Sequence, residues 1–296
     1  MLSPAEDRFL RQQVMRALTV RTVHNGGWVT REELSAFPLG GGVRRLIDTT
    51  KGIWNPRDLP ATLSIVSSPD GPYDDRDVHG GLFTFDYRAG SHQGDNTKLR
   101  RAGELALPVI LLRKIEPKIY VPVFPVFVVG DDAAIGIFTV ALDESVRFLP
   151  SPTTWTEDQR QYAERTVQQR LHQPEFRSRV IRAYATRCAV CSLRHGELLD
   201  AAHITGDRAE GGFPVVTNGL SLCKIHHSAY DARLLGISPD YTVHIDRELL
   251  AEVDGPMLKY GIQGMHGRTL ELPVRAADWP DRDRLDARFE EFGHSA

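Results

Sequence analysis

The residues with the most chemical content lie between positions 188 and 231. Cys188, Cys191 and Cys223 are the chain's three cysteines. An odd number cannot pair off internally, so a disulfide framework is excluded. Cys188 and Cys191 form one close pair, and Cys223 is followed at the same short spacing by His226, with His227 beside it. Side chains so spaced on a turn can bite one ion, and two such pairs make a tetrahedral Cys3His set suited to zinc. Protein fills all four positions, which leaves no place for water, so the spacing predicts a structural zinc that supplies folding energy to a small core. On a helix Cys223 and His226 share a face, and His227 lies about 100° further round. Spacing alone leaves open which histidine closes the zinc set and which points elsewhere.

Around these pairs stand Asp200, Ala201, Ala202 and His203, then Asn218 and Gly219, then Asp231. The whole run resembles an HNH endonuclease domain, a ββα-metal fold in which a hairpin, a loop and a helix surround one divalent ion. The resemblance implies that His203 is the general base and that Asn218 holds the base's hairpin and loop in place. It assigns His227 to the catalytic ion and leaves His226 to the zinc. The chemistry is coherent in its own right. A neutral histidine near its ordinary pKa of about 6.5 can take a proton from water at neutral pH. One divalent ion, Mg2+ or Mn2+, Co2+ or Ni2+, can stabilise the charge on phosphorus and help the leaving oxygen. Many members place an acidic ligand directly before the base, where this chain has Ala202. The nearest acid, Asp200, either coordinates the ion or supports the hairpin. Asp231 is a further candidate, with a helix-to-loop polar contact as its plainer reading. His195 and His244 lie outside the pattern and read as structural.

These residues need elements to hold them. Asn218 reads as the cap of a helix from Gly219 to about Leu234. Upstream, Thr156 to about Thr186 reads as helix, with Pro174 forcing a break or kink. Its arginines, from Arg160 to Arg187, are either an ordinary solvated face or a phosphate-tracking surface. At the start of the chain Ser3 caps a helix to about Val20, with Pro4 in its first turn and Phe9, Leu10, Val14 and Leu18 on its apolar face. A shorter helix spans Thr30 to about Ala36. Between them and the long helix, residues 61–66, 81–87, 109–112, 119–129 and 134–142 read as strands, and Asn96 to Leu105 as a helix. Residues 150–152 look like a linker or corner.

The segment from about 57 to 145 resembles an SRA domain, the module that flips a modified cytosine out of duplex DNA. The matching features are an acidic loop after Tyr73, the His79 and Gly80 turn, an aromatic strand, and a helix start at Asn96 and Thr97. A flipped base needs aromatic faces and hydrogen bonds on its Watson–Crick edge. Tyr73, Phe85 and Tyr87 are the candidates to stack, with ordinary strand core as the alternative. Asp75, Asp77 and Asp86 are candidates to read the base edge, because Arg76 falls on the position where the family has its acid. Lys98, Arg100 and Arg101 are candidates for phosphate contact.

The 296 residues carry a net charge of -3, so any nucleic-acid surface must be local. The composition, 41% hydrophobic and 25% charged, excludes a largely disordered chain. The longest apolar stretches are too short to span a bilayer and contain proline. The N-terminus has no basic and apolar leader pattern, which predicts a cytoplasmic protein in a reducing compartment with no membrane partner. The expected fold class is α+β. Residues 1–150 form a mostly β, SRA-like (PUA-like) curved sheet or barrel, and 151–180 a helical linker. Residues 181–260 form a ββα-metal HNH domain with a zinc knuckle, and 261–296 a C-terminal extension. The sequence as a whole resembles the SRA-HNH modification-dependent restriction endonucleases, of the TagI-like kind. The expected partner is double-stranded DNA with a modified cytosine, and a homodimer is expected because one site cuts one strand. Two rival readings are an HNH nuclease without modification dependence and a non-catalytic zinc-containing DNA-binding protein.

Overall fold

The computed structural model describes residues 1–68, 82–87, 94–149 and 154–293, with the backbone of 77 and 78. It divides into two compact units, Met1–Thr22 with Gly27–Glu175, and Val23–Gly26 with Phe176–Ala296. Among the described residues no helix is long and apolar enough to cross a membrane.

The first unit opens with α1 (Pro4–Asn25). Ser3 starts it as the sequence predicts: the Ser3 N–H donates to the Glu6 carboxylate at 2.8 Å, and the Ser3 hydroxyl accepts from the Glu6 N–H at 3.4 Å. The buried stripe is Asp7, Arg11, Val14 and Leu18, whereas Phe9 is 61% exposed. That corrects the expected apolar face. The stripe with helical spacing includes a charged pair, which can be buried because its partners are all protein. The Arg11 guanidinium donates to Asp7 at 2.7 Å and to the carbonyls of Thr62, Pro108 and Ala61 at 2.8, 2.7 and 3.2 Å. β1 (Val29–Thr30) leads into α2 (Arg31–Ser35), where Thr30 and Glu33 cap reciprocally. β2 (Phe37–Leu39) and β3 (Gly42–Arg44) form a small hairpin.

The main sheet is built from β4 (Ile53–Trp54), β5 (Ser64–Ser67), β6 (Asp77–Val78), β7 (Leu82–Asp86), β8 (Val109–Glu116), β9 (Ile119–Asp132) and β10 (Ile137–Ala141), in the order β4-β5-β8-β9-β10-β7-β6. β1 also pairs with β9. β5 runs parallel to β8 and the other neighbours are antiparallel. The sheet curls into a half-barrel. The strand expected from Ala61 starts only at Ser64, because Arg11 takes the carbonyls of Ala61 and Thr62. β8 is buried on both faces. Val109 and Leu111 join the core of Phe83, Phe85, Phe138 and Val140, while Ile110 and Leu112 join that of Val14, Leu18 and Leu34. α3 (Asp95–Glu104) contributes Leu99 and Ala102 to the first of these cores. α4 (Glu144–Arg147) and α5 (Glu157–Val167) follow. Where Pro174 predicts a break, residues Gln168–His172 form a π-turn before α6 (Gln173–Ala183). The wider turn carries the helix past a residue that has no N–H to give.

In the second unit β11 (Leu199–His203) and β12 (Gly219–Cys223) form an antiparallel pair, with Leu199 opposite Cys223 and His203 opposite Gly219. α7 (Lys224–Asp231) follows directly. The helix expected from Gly219 therefore begins five residues later. Residues 219–223 are buried throughout, which suits a strand covered on both faces. Asn218 is the last residue of a short 3-10 turn and leads into that strand. β13 (Leu235–Ile237) and β14 (Val243–Ile245) pair next. α8 (Arg247–Ala251), α9 (Pro256–Gly261) and α10 (Arg282–Gly293) complete the unit. One core gathers Phe176 and Val180 of α6, Leu220 and Leu222 of β12, Tyr230 of α7, and Leu285 of α10.

Candidate active site and metal centre

The turn from Cys188 to Ser192 is tight. Ser192 N–H donates to the Cys188 carbonyl at 2.8 Å, and Cys188 N–H to the Leu193 carbonyl at 2.9 Å. Ser192 takes a left-handed φ of 59° to close it. The end of β12 and the first turn of α7 supply Cys223 and His226. The Nδ1 of His226 lies 3.5 Å from Cys188 Sγ and 3.1 Å from Cys223 Sγ, and the sulfurs of Cys191 and Cys223 are 4.0 Å apart. All four donor atoms fall within 4.8 Å of one another. A zinc tetrahedron with bonds of about 2.0–2.3 Å has edges of roughly 3.3–3.8 Å, so the residues fit that ion.

The four donor atoms share protons with one another, and a metal binds them only by displacing those protons. Thiols of Cys188 and Cys191 beside Cys223 hold its pKa well below the usual thiol range. Burial alone would lower His226, but the Cys188 and Cys223 sulfurs outweigh it and raise its pKa to about 10. His226 Nε2 lies 2.7 Å from the Gly261 carbonyl. A carbonyl only accepts, so Nε2 carries the proton, which turns Nδ1 toward the sulfurs.

On the other side of α7, His227 stands between two acids. Its Nδ1 is 3.5 Å from Asp200 Oδ2 and its Nε2 is 3.3 Å from Asp231 Oδ2. Asp200 accepts from the Ala201 N–H at 2.9 Å and lies 3.4 Å from Arg177 Nε. Burial would raise the Asp200 pKa, yet His227, the Ala201 N–H and Arg177 together lower it. The same contact with Asp200 raises His227. His203 ends β11 with its ring stacked on Phe176, centroids 4.0 Å apart and planes 16° from parallel. Burial lowers the His203 pKa, with Asp207 and Asp231 pulling up and His227 pulling down.

Asn218 is fully buried and its amide is saturated. Oδ1 accepts from the Thr205 N–H at 2.8 Å, and Nδ2 donates to the carbonyls of Thr205 and Phe213, both at 3.0 Å. It ties both ends of the 205–213 loop to the start of β12. Sequence reasoning placed Cys188, Cys191, Cys223, His226, His203, Asn218, His227 and Asp200 in this unit. It missed Phe176 and the Gly261 carbonyl, and counted Arg177 only as one charge among many. Arg177 also donates to the carbonyls of Gly196 and Leu199 at 3.0 and 2.8 Å, holding the approach to β11.

The base-reading candidates are in the first unit. Tyr73 and Asp75 lie outside the described residues, and Asp77 sits in β6 opposite Phe83. Phe85 and Tyr87 belong to the sheet core, 5% and 9% exposed, and Tyr87 lies 4.6 Å from Phe138. The Tyr87 hydroxyl and Arg100 both bind the Asp131 carboxylate, whose pKa burial raises. Asp86 is half-buried opposite Ile137. Lys98 donates to the carbonyls of Pro56 and Leu59, both at 2.7 Å, and Arg101 pairs with Glu104 at 2.8 Å. Of the arginine-rich helix, Arg160 pairs with Glu157 and Arg170 donates to the Phe124 carbonyl.

Residues 188–238 match the model of the HNH endonuclease family. Among solved structures a modification-dependent TagI restriction endonuclease aligns at 18% identity, over 82% of this chain and 86% of that one, with a TM-score of 0.30. No curated protein matches the chain.

Proposed function

We propose that the protein is a metal-dependent DNA endonuclease, and that its HNH unit cuts a phosphodiester with His203 as general base. The observation that carries the reading is a matched HNH segment whose hairpin and helix gather Asp200, His203 and His227. His227 Nδ1 and Asp200 Oδ2, 3.5 Å apart, are the side chains that would hold a divalent ion here. Such an ion, when bound, supplies positive charge to the scissile phosphate and the leaving oxygen. Neutral His203 accepts a proton from the attacking water as the new P–O bond forms and the bond to the leaving oxygen breaks. Asn218 holds the loop behind the base, and Arg177 holds Asp200. Zinc on Cys188, Cys191, Cys223 and His226 is structural.

In the fuller form of this reading the first unit is SRA-like and flips a 5-modified cytosine, and two copies act together to break both strands. The deciding experiment is cleavage of matched DNAs carrying cytosine, 5-methylcytosine, 5-hydroxymethylcytosine or its glucosylated form, with Mg2+, Mn2+, Co2+ and Ni2+. Cutting confined to a modified DNA supports the fuller form. Equal rates on all four sink it and leave the second reading, a nuclease indifferent to modification. The burial of Phe85 and Tyr87 in the sheet favours that second reading. A wild-type protein inert with every metal would make it a DNA binder without catalysis.

A further inference from the structure

Helix α6, upstream of the segment that matches the HNH family, reaches into the site. Its Phe176 is 3% exposed and lies flat on the His203 imidazole. The opposing strand is shaped to admit it. Across from His203 stands Gly219, where a Cβ would come within 2.9 Å of Phe176 Cζ and 2.4 Å of Val180 Cγ2. Glycine at 219 therefore opens a slot, and the phenyl ring fills it with its flat side against the imidazole. The neighbouring Arg177 fixes Asp200 and the carbonyls of Gly196 and Leu199 at the start of β11, so consecutive residues of α6 bear on both ends of that strand.

We propose that Phe176 is a positioning residue for His203. The stack fixes the plane of the imidazole about its Cβ–Cγ bond, so the ring nitrogen that takes the proton is held in that plane. Aromatic faces in contact impose such an orientation, while an aliphatic side chain of similar volume fills the slot without imposing it. The inference rests on the reading of His203 as base.

The test uses the full-length protein and the variants Phe176→Leu, His203→Ala and the double variant, each checked for zinc content and melting temperature. In the histidine ring region of the wild-type NMR spectrum, the signal lost in His203→Ala should be shifted upfield by the overlying phenyl, and should move back downfield in Phe176→Leu. Single-turnover cleavage by Phe176→Leu should fall roughly 10- to 100-fold, the range expected for a misplaced catalytic group, with DNA affinity unchanged within about twofold. In the His203→Ala background the same substitution should cost nothing further, because its effect passes through His203. Absence of the upfield shift overturns the proposal, as does an equal loss in both backgrounds. Wild-type cutting by Phe176→Leu while His203→Ala is inert overturns this proposal alone. Wild-type cutting by His203→Ala overturns the base assignment and this proposal with it. If Phe176→Leu does not fold, Phe176→Met and the wild-type spectrum carry the test.

Discussion

His203 lies half-buried under a phenyl ring, and that burial lowers its pKa from the usual value of 6.5. A base acts in its deprotonated form, which predominates above the pKa. The acid limb of single-turnover cleavage, at saturating metal, is therefore expected below pH 6.5, with the rate rising through it. A limb centred above 6.5 would contradict the assignment. Asn218 makes a different prediction. Truncation to alanine strands a buried N–H and two carbonyls, at a cost of about 1–3 kcal/mol in denaturant unfolding. Asn218→Asp should be worse than alanine, since it sets a buried carboxylate against the carbonyls of Thr205 and Phe213. Both residues were legible in the sequence because their types and spacing carry chemistry. Phe176 was not, because an isolated aromatic on a helix looks the same whether it meets a leucine or a histidine. The burial of Asp7 and Arg11 was hidden for a similar reason. Opposite charges four apart read as a solvated pair, and only the carbonyls of Ala61, Thr62 and Pro108 make their burial tolerable.

At the level of elements, the Cys3His cluster joins the Cys188 turn to the junction of β12 and α7. Cys191→Ser or chelation should abolish the second unit's melting transition and release zinc. A soluble mutant that melts like the wild type would refute a structural metal. Gly219→Ala crowds α6 against β12 and should cost about 1–3 kcal/mol of stability, read by denaturant titration. The strand that Gly219 begins was misread as helix. Asn before Gly imitates a cap, yet the alternation of Leu220, Ser221 and Leu222 has the period of a strand, and burial on both faces decided the outcome. Pro174 was a sound signal of irregularity, and the break or kink it predicts takes the form of a π-turn just before it.

Across the whole molecule the net charge of -3 requires any DNA surface to be local. The arginines from Arg160 to Arg187 were a candidate source, but Arg170 and Arg177 are committed internally. Arg170 is one of these, with its pKa lowered by burial and its guanidinium on the Phe124 carbonyl. Arg170→Ala is expected to lower the melting temperature and leave DNA affinity at low salt unchanged, which binding and melting curves on one preparation would check. The curled sheet was legible as a set of strands, whereas its pairing order was not, since β5 beside β8 is a non-local parallel contact that no local pattern announces.

The hydrogen bond from His226 to Gly261 bears on how the HNH-matching segment can be cut out and reused. A cassette trimmed to residues 188–238 would lose that acceptor downstream, and Phe176 and Arg177 upstream. Transplanted into a fusion protein, it would carry the proposed ligands and the proposed base, His203, yet leave behind the side chains and carbonyl that contact them. A portable version should begin at or before Gln173 and run through α10, so that Leu285 still closes its core.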